Sequence, residues 1–255
     1  MTLLDSIVLA IVEGITEYLP VSSTAHITLT AQQLGLEVNS NFFITFNIVI
    51  QMAPIFAVML IFKDRLLASI EIWKKLIVAF IPVGIVGFFL ADYIDLLFKE
   101  NLIPLWMLIT GLLFIIIEYF HKEEKKHLDD IENATFKQSL IIGIFQIFSL
   151  IPGISRSGST ILGAMLVGFK REAAMSFSFL LAIPTMGAAS GYTFLKEFHA
   201  LDFSQLELLT VGFIVSFFIG WIAVKLLLKM IAQFSFVPFG IYLILSAFIF
   251  QFVLS

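Results

Sequence analysis

Read for apolar runs, the chain divides into long uncharged stretches separated by short polar ones. Phe42–Phe62 carries no charge at all, Leu76–Leu97 has only Asp92 and Asp95 near its far end, and Leu102–Phe120 follows. Ala173–Leu195, Leu208–Lys229 and Val237–Leu254 repeat the pattern later in the chain. A bilayer's hydrocarbon core takes roughly 20 helical residues to cross, so these six runs predict six transmembrane helices. Lys63–Lys75 reads as a basic loop and His121–Lys137 as the only long hydrophilic one.

Two regions depart from this pattern. Ser6–Val12 is apolar but too short to span, runs into Glu13, and is broken at Pro20; His26–Leu36 is a second short piece. Gln138–Leu150 and the segment ending at Phe169 bracket Ile151–Thr160 (IPGISRSGST) in the same way. Two half-length helices around a polar, proline-containing turn predict a re-entrant hairpin. Such backbone is tolerated at membrane depth only where protein buries it or it lines a wet cavity.

The two hairpins belong to a duplication. Pro20 and Pro152 are 132 residues apart, Phe46 and Phe177 are 131 apart, and Pro104 and Pro238 are 134 apart. One hairpin and three spans per half is an odd number of crossings, so the second half must be inverted relative to the first. The predicted fold is an all-α integral membrane protein with six transmembrane helices, two re-entrant hairpins and an inverted-topology repeat. It forms one domain over 1–255, with repeat 1 about 1–120, a loop at 121–137, and repeat 2 about 138–255.

Charge orients this arrangement. One face receives Lys63, Arg65, Lys74, Lys75, Lys122, Lys125, Lys126, Lys137, Lys170, Arg171, Lys225 and Lys229, whereas the other receives Lys99 and Lys196. That asymmetry puts loop 121–137 in the cytoplasm and both termini outside. Composition agrees with a membrane protein: 60% of residues are hydrophobic and mean hydropathy is +1.03. A net charge of −4 gives no reason to expect a nucleic-acid partner, and the lack of cysteine excludes disulfides and thiolate metal sites. The first ten residues lack a basic n-region and are not read as a cleaved signal.

The chemistry concentrates in the two hairpins. An ionisable side chain at membrane depth costs roughly 2.5–3.5 kcal/mol even on a lenient scale, which marks such residues as functional candidates. Glu13 and Glu17 share one helix face. Two carboxylates in a low-dielectric site cannot both stay ionised without a cation close by, and a hard divalent ion such as Mg2+ suits them. The bland alternative is a protonated pair that helps helices pack. Ser22, Ser23 and Thr24 supply hydroxyls, and His26 lies three residues after Ser23 as a candidate base. The second hairpin offers glycine-freed backbone, Ser155, Ser157 and Thr160, and the planar fork of Arg156, a combination suited to an anion. It has neither a Walker A ending nor a Gly-x-Ser-x-Gly elbow. Face to face, the hairpins describe a phosphate site buried in a membrane, and a lipid phosphate is the natural ligand.

At EGITEYLPVSSTAH and PGISRSGST, with weaker echoes in FNIVIQMAPIFAV, FSFLLAIP and FSFVPFGIY, the chain resembles the bacterial undecaprenyl-diphosphate phosphatase family of the BacA/UppP type. The resemblance runs over essentially the whole chain. It implies hydrolysis of undecaprenyl diphosphate to undecaprenyl phosphate and inorganic phosphate in the bacterial plasma membrane, which recycles the cell-wall lipid carrier. It also implies resistance to bacitracin, which sequesters the substrate and does not act on the protein. By position, Glu13 and Glu17 resemble the metal-linked acidic pair, for Mg2+ or Ca2+. Ser23 resembles the nucleophile, with Ser22, Thr24 and His26 around the phosphate, and Ser155, Arg156 and Thr160 resemble phosphate-binding groups. Whether Ser23 or His26 is attacked into a covalent intermediate stays open. The family pattern usually has an acidic residue where Asn47 stands and a basic one where Leu243 stands.

Two other readings compete. A polyprenyl-phosphate transporter or flippase would share the inverted repeat and the phosphate ligands, but has no use for a nucleophile beside a base. A structural membrane protein is disfavoured by the cost of burying Glu13, Glu17 and Arg156 together. The pair Gly187/Gly191 permits close helix contact, yet inside one bundle it gives no evidence of a dimer, so oligomeric state is left open.

Overall fold

The computed structural model describes residues 1–97, 102–123, 127–196, 198–199, 201–231 and 234–254. Lys99, Lys125 and Lys126 of the charge partition lie outside the described residues, as do the side chains of Asp92 and Asp95. Eleven α-helices follow in order: α1 (Leu3–Thr16), α2 (Ser23–Gln33), α3 (Asn41–Ile61), α4 (Lys63–Ala68), α5 (Ile70–Leu97), α6 (Ile103–Phe120), α7 (Phe136–Gln146), α8 (Arg156–Leu166), α9 (Arg171–Lys196), α10 (Leu206–Ile231) and α11 (Val237–Leu254). Five of them, α3, α5, α6, α9 and α10, are long and apolar enough to cross a membrane. The sixth expected span corresponds to α11, which is apolar over Val237–Phe252. The protein is a multi-pass, all-helical membrane protein.

Local chemistry sets the helix starts. Thr2 and Asp5 cap each other's backbone at the start of α1, and Thr135 and Gln138 do the same for α7. Ser40 caps α3, and Pro104 occupies the first turn of α6, where its missing N–H costs nothing.

The expected basic loop at Lys63–Lys75 is mostly helical. It forms α4 and the first turns of α5, with a break at Ser69. The indole N–H of Trp73 donates to the Leu66 carbonyl at 2.9 Å, and Lys75 is buried with its ammonium donating to the Glu132 carbonyl at 2.5 Å. Lys75 lays its stem on the core and keeps only its end polar, whereas Lys63 and Lys74 stay exposed.

The short helices double back. Ile27 and Ala31 of α2 share a cluster with Leu9 and Ala10 of α1 and Leu209 at the start of α10. At the other end of the molecule, the Gln138 side chain at the start of α7 donates to the Val167 carbonyl just past α8. α1 runs parallel to α10: Ser6 donates to the Leu208 carbonyl, and Gly14 lies against the Gly220 backbone, halfway along α10. At 1.5 Å per residue, α1 is roughly 21 Å long and α2 roughly 17 Å, both shorter than a 30 Å hydrocarbon core.

Around the hairpins, α3 and α1 pack on α10, α9 and α7 pack on α5, α3 meets α9, and α6 meets α11. The last pair is very close. A Cβ on Gly111 would sit 2.7 Å from the Gly240 carbonyl oxygen, and one on Gly240 would sit 2.8 Å from that of Gly111. Gly111→Val should therefore push α6 from α11 and cost about 1–3 kcal/mol, read as a lower thermal midpoint in detergent than wild type.

His121 and His127 stack at 5.3 Å and 12° in the loop after α6. Arg171 donates to Glu118 and to the His121 carbonyl and pairs with Glu123 at 3.0 Å; the Leu128 amide donates to the Gly168 carbonyl at 2.9 Å. Burial first, and then the Arg171 and His127 charges, push the His121 imidazole below its usual range. A histidine depressed by folding favours the native state fully above the unfolded value of about 6.5 and loses that stability as pH falls below it. Hydrogen exchange at the Leu128 amide should accelerate between pH 7 and 5, beyond the intrinsic pH trend, and His121→Ala should flatten the difference.

Candidate active site

The tips of the two hairpins meet. Glu13 lies on the last turn of α1 and Glu17 is its C-cap; both are buried, at 0% and 6% exposure. The turn through Pro20 ends at Ser22, held at φ 70°, ψ 85°, the one non-glycine residue with positive φ among those described. Left-handed backbone at a side-chain-bearing residue costs of order 1–3 kcal/mol and persists only where the surroundings enforce it. Here the Ser22 carbonyl accepts from the His26 backbone N–H at 3.3 Å and faces its Nδ1 at 2.8 Å.

The opposing tip is shaped by Gly153 at φ 97°, where a Cβ would lie 2.6 Å from the Ile103 carbonyl oxygen. Ser155 then caps α8, its hydroxyl accepting the Gly158 N–H at 3.1 Å. Arg156 follows and reaches across. Its Nη2 donates to Glu17 Oε1 at 2.7 Å, Nη1 donates to the Ser178 carbonyl at 3.2 Å, and its guanidinium carbon stands 5.5 Å from the centre of the Tyr18 ring. The side chains of this ion pair are only 10% and 4% exposed. Ser23 donates to the other oxygen of the same carboxylate, Glu17 Oε2, at 2.8 Å. Glu17 is thus shared between a guanidinium and a hydroxyl.

Several expected site residues are placed differently. His26 does not face Ser23: with Nδ1 on the Ser22 carbonyl, its Nε2 meets the Tyr242 hydroxyl at 2.7 Å and its ring stacks on Tyr242. The group beside Ser23 is the Glu17 carboxylate, and both His26 ring nitrogens are taken up by the Ser22 carbonyl and the Tyr242 hydroxyl. Thr24 is exposed. Ser155, Ser157 and Thr160 are buried on the α8 tip with their hydroxyls engaged by protein. Ser157 donates to the Leu19 carbonyl at 3.0 Å, across the two hairpins, and Thr160 pairs with the Ser178 hydroxyl at 2.6 Å. Ser22 is buried behind its own strained backbone.

Three contributors escaped the sequence reading. Ser178 gives Arg156 a carbonyl and Thr160 a hydroxyl; its only sequence signal is its place, with Ser176, as a polar residue in an apolar run. Tyr18 lies inside the first motif, and its ring, wedged edge-on against Phe179, forms the wall beside Arg156. Tyr242 closes the FSFVPFGIY echo, but nothing there marked its hydroxyl, since an aromatic residue in an apolar span reads as lipid-facing or core.

Three groups of this centre are left wanting partners. Both oxygens of the fully buried Glu13 carboxylate, Nε of Arg156 and the hydroxyl of Tyr18 find no hydrogen-bond partner among the described residues. A buried acceptor left open costs about 1–3 kcal/mol, and a charged one more. One site therefore holds a carboxylate without a donor and a guanidinium N–H without an acceptor. The first suits a cation and the second an anionic oxygen. Among the described residues no group of three or more His, Asp or Glu could enclose a metal alone. Glu13 and Glu17 fit a hard divalent ion that completes its shell with ligand phosphate and water.

Fold and site define a multi-pass helical membrane protein with an acid–hydroxyl–arginine centre closed between two short hairpins. The chain belongs to the family described as bacitracin resistance protein BacA, which matches residues 6–249. It is 45% identical to an undecaprenyl-diphosphatase of Wolinella succinogenes over 255 residues, 100% of this chain and 99% of that protein. Similar relatives of the same name occur in Persephonella marina, 43% identical over 98% of both chains, and Methanococcus aeolicus, 44% identical over 96% of both.

Removing the guanidinium should expose the balance of this centre. Arg156→Leu leaves Glu17 and Glu13 buried without their cation and should cost about 3–5 kcal/mol in thermal or denaturant unfolding. The double substitution Glu17→Leu/Arg156→Leu should recover most of that loss while remaining inactive.

Proposed function

We propose that this chain is a membrane phosphatase that hydrolyses undecaprenyl diphosphate to undecaprenyl phosphate and inorganic phosphate. The observation that carries the reading is the Glu17 carboxylate shared by the Ser23 hydroxyl at 2.8 Å and Arg156 at 2.7 Å. The names and near-complete coverage of the relatives support the substrate. Bacitracin binds the diphosphate form of the lipid, so removing that form confers resistance without any contact between antibiotic and protein.

Ser23 is the nucleophile in this reading. Its oxygen forms a bond to the terminal phosphorus as the bond to the bridging oxygen breaks, and its proton passes to Glu17. The leaving group is the polyprenyl monophosphate, which takes that proton from Glu17. Water then attacks the phosphoserine phosphorus as its bond to Ser23 Oγ breaks; Glu17 takes the water's proton and returns it to Ser23 Oγ, and inorganic phosphate departs. Arg156 holds Glu17 in place through Nη2 and offers Nε to a phosphate oxygen. Glu13 and Glu17 would hold a divalent ion, Mg2+ or Ca2+, which would neutralise diphosphate charge when bound.

The same reading includes an inverted repeat with two re-entrant hairpins. Reciprocal caps recur 133 residues apart at Thr2 and Thr135. The helix pairings exchange with each other when the halves are swapped: α1 on α10 with α7 on α5, and α3 on α10 with α9 on α5. The basic residues at the α10 end and around loop 121–137 favour a cytoplasmic position for that end and outer positions for both termini in the bacterial plasma membrane. Paired hairpins are also transporter architecture, so a polyprenyl-phosphate flippase is the competing reading.

The deciding measurement is phosphate release by the purified protein in detergent from a polyprenyl diphosphate, with and without Mg2+ or Ca2+. Wild type should turn over only with the metal, and Glu17→Gln, Arg156→Ala and Ser23→Ala should each lose at least ~100-fold in rate. No release under any condition favours the transporter. Near-normal release by Ser23→Ala together with none by His26→Ala moves the nucleophile to the imidazole.

A further inference from the structure

Beside the hairpin tips, the last turn of α10, the first turns of α11 and the end of α1 enclose an open cavity of about 420 Å3. That volume lies within the ~300–1,000 Å3 of small-molecule pockets. Its walls are nearly all carbon. The Thr16 hydroxyl is turned back to the Val12 carbonyl at 2.7 Å and the Tyr242 hydroxyl to His26, which leaves Ser235 as the remaining lining hydroxyl.

Resting on the reading that the ligand is a lipid diphosphate, we propose that this groove seats the isoprenoid chain next to the diphosphate, and that Tyr242 is the residue that joins tail recognition to the site. Continuity carries the assignment. Leu19 and Val21, which line the groove, flank Pro20 on the same turn that presents Glu17 and Ser23. The Tyr242 ring lines the groove while its hydroxyl fixes His26, whose other nitrogen faces the strained Ser22 carbonyl.

Direction agrees. Gly14, one residue from Glu13, lies level with Gly220, and the groove begins at Leu227 and reaches Ile231 at the end of α10. Seven to eleven residues further along α10 is roughly 10–16 Å. A diphosphate at the tips would therefore have its chain running towards the basic end of the molecule. Bulk phospholipid tails reach that end from the opposite surface, with their heads where this ligand has its tail.

Two measurements test the groove. The first is photolabelling of the wild-type protein in phosphatidylglycerol nanodiscs by a polyprenyl monophosphate with a diazirine on its first isoprene units. Labels should map to 15–21 and 227–242, compete with unlabelled polyprenyl phosphate, and resist added phosphatidylglycerol. Labelling elsewhere, or competition by the phospholipid, overturns the proposal. The second uses the lipid-facing substitutions Ile15→Trp and Met230→Trp, which fill the groove with little strain. Each should raise KM for a long-chain diphosphate at least tenfold while changing kcat/KM for a single-isoprene diphosphate less than twofold. Equal effects on both substrates, or none, overturn it. If wild type releases no phosphate at all, the hydrolase reading falls and the labelling pattern alone decides the groove.

Discussion

The structure depends on one ion pair, Glu17 with Arg156, made 139 residues apart in the chain and almost wholly out of water. Neither charge is tolerable there alone. An isolated carboxylate or guanidinium in a low-dielectric interior carries a penalty of several kcal/mol, which only a partner in good geometry offsets. The surroundings serve that partnership. The Ser178 carbonyl takes a second guanidinium nitrogen, Tyr18 walls it, and Ser157 ties the tip of α8 to the Leu19 carbonyl on the other hairpin. The arrangement leaves Glu13 and Arg156 Nε open, so the contact that closes the fold also exposes complementary binding capacity.

Which hydroxyl partner the site uses follows from where α2 starts. Nδ1 of His26 faces a backbone carbonyl and must carry the proton, so in the neutral ring Nε2 is the acceptor and Tyr242 the donor. Both nitrogens are then occupied, and Ser23 is left to the carboxylate. The left-handed Ser22 sets that start, and its strain is the local cost of presenting Ser23 to Glu17.

Much of this was legible in the chain. The apolar runs locate α3, α6, α9, α10 and α11 within a few residues, because the bilayer imposes one length on each. The two prolines and the polar clusters around them mark both tips, and Glu13, Glu17, Ser23 and Arg156 do come together there. What stayed hidden was relational. Lys75 and His121 look like loop residues until the segments they pack against are known, and Ser178 contributes mainly a carbonyl, which has no letter in the sequence. The Ser23–His26 spacing suggested a pair and does put both on one face of α2, but the sequence could not show that the Ser22 carbonyl and Tyr242 engage both ring nitrogens.

The separation of Glu17 from Arg156 also has a meaning in time. Chains grow at about 5–20 residues per second, so 139 residues take roughly 7–28 s to make. For that interval the first hairpin exists with both glutamates and no guanidinium. Helices α3, α5 and α6 are all synthesised within that interval, so the carboxylate half of the ion pair is made well before its partner exists.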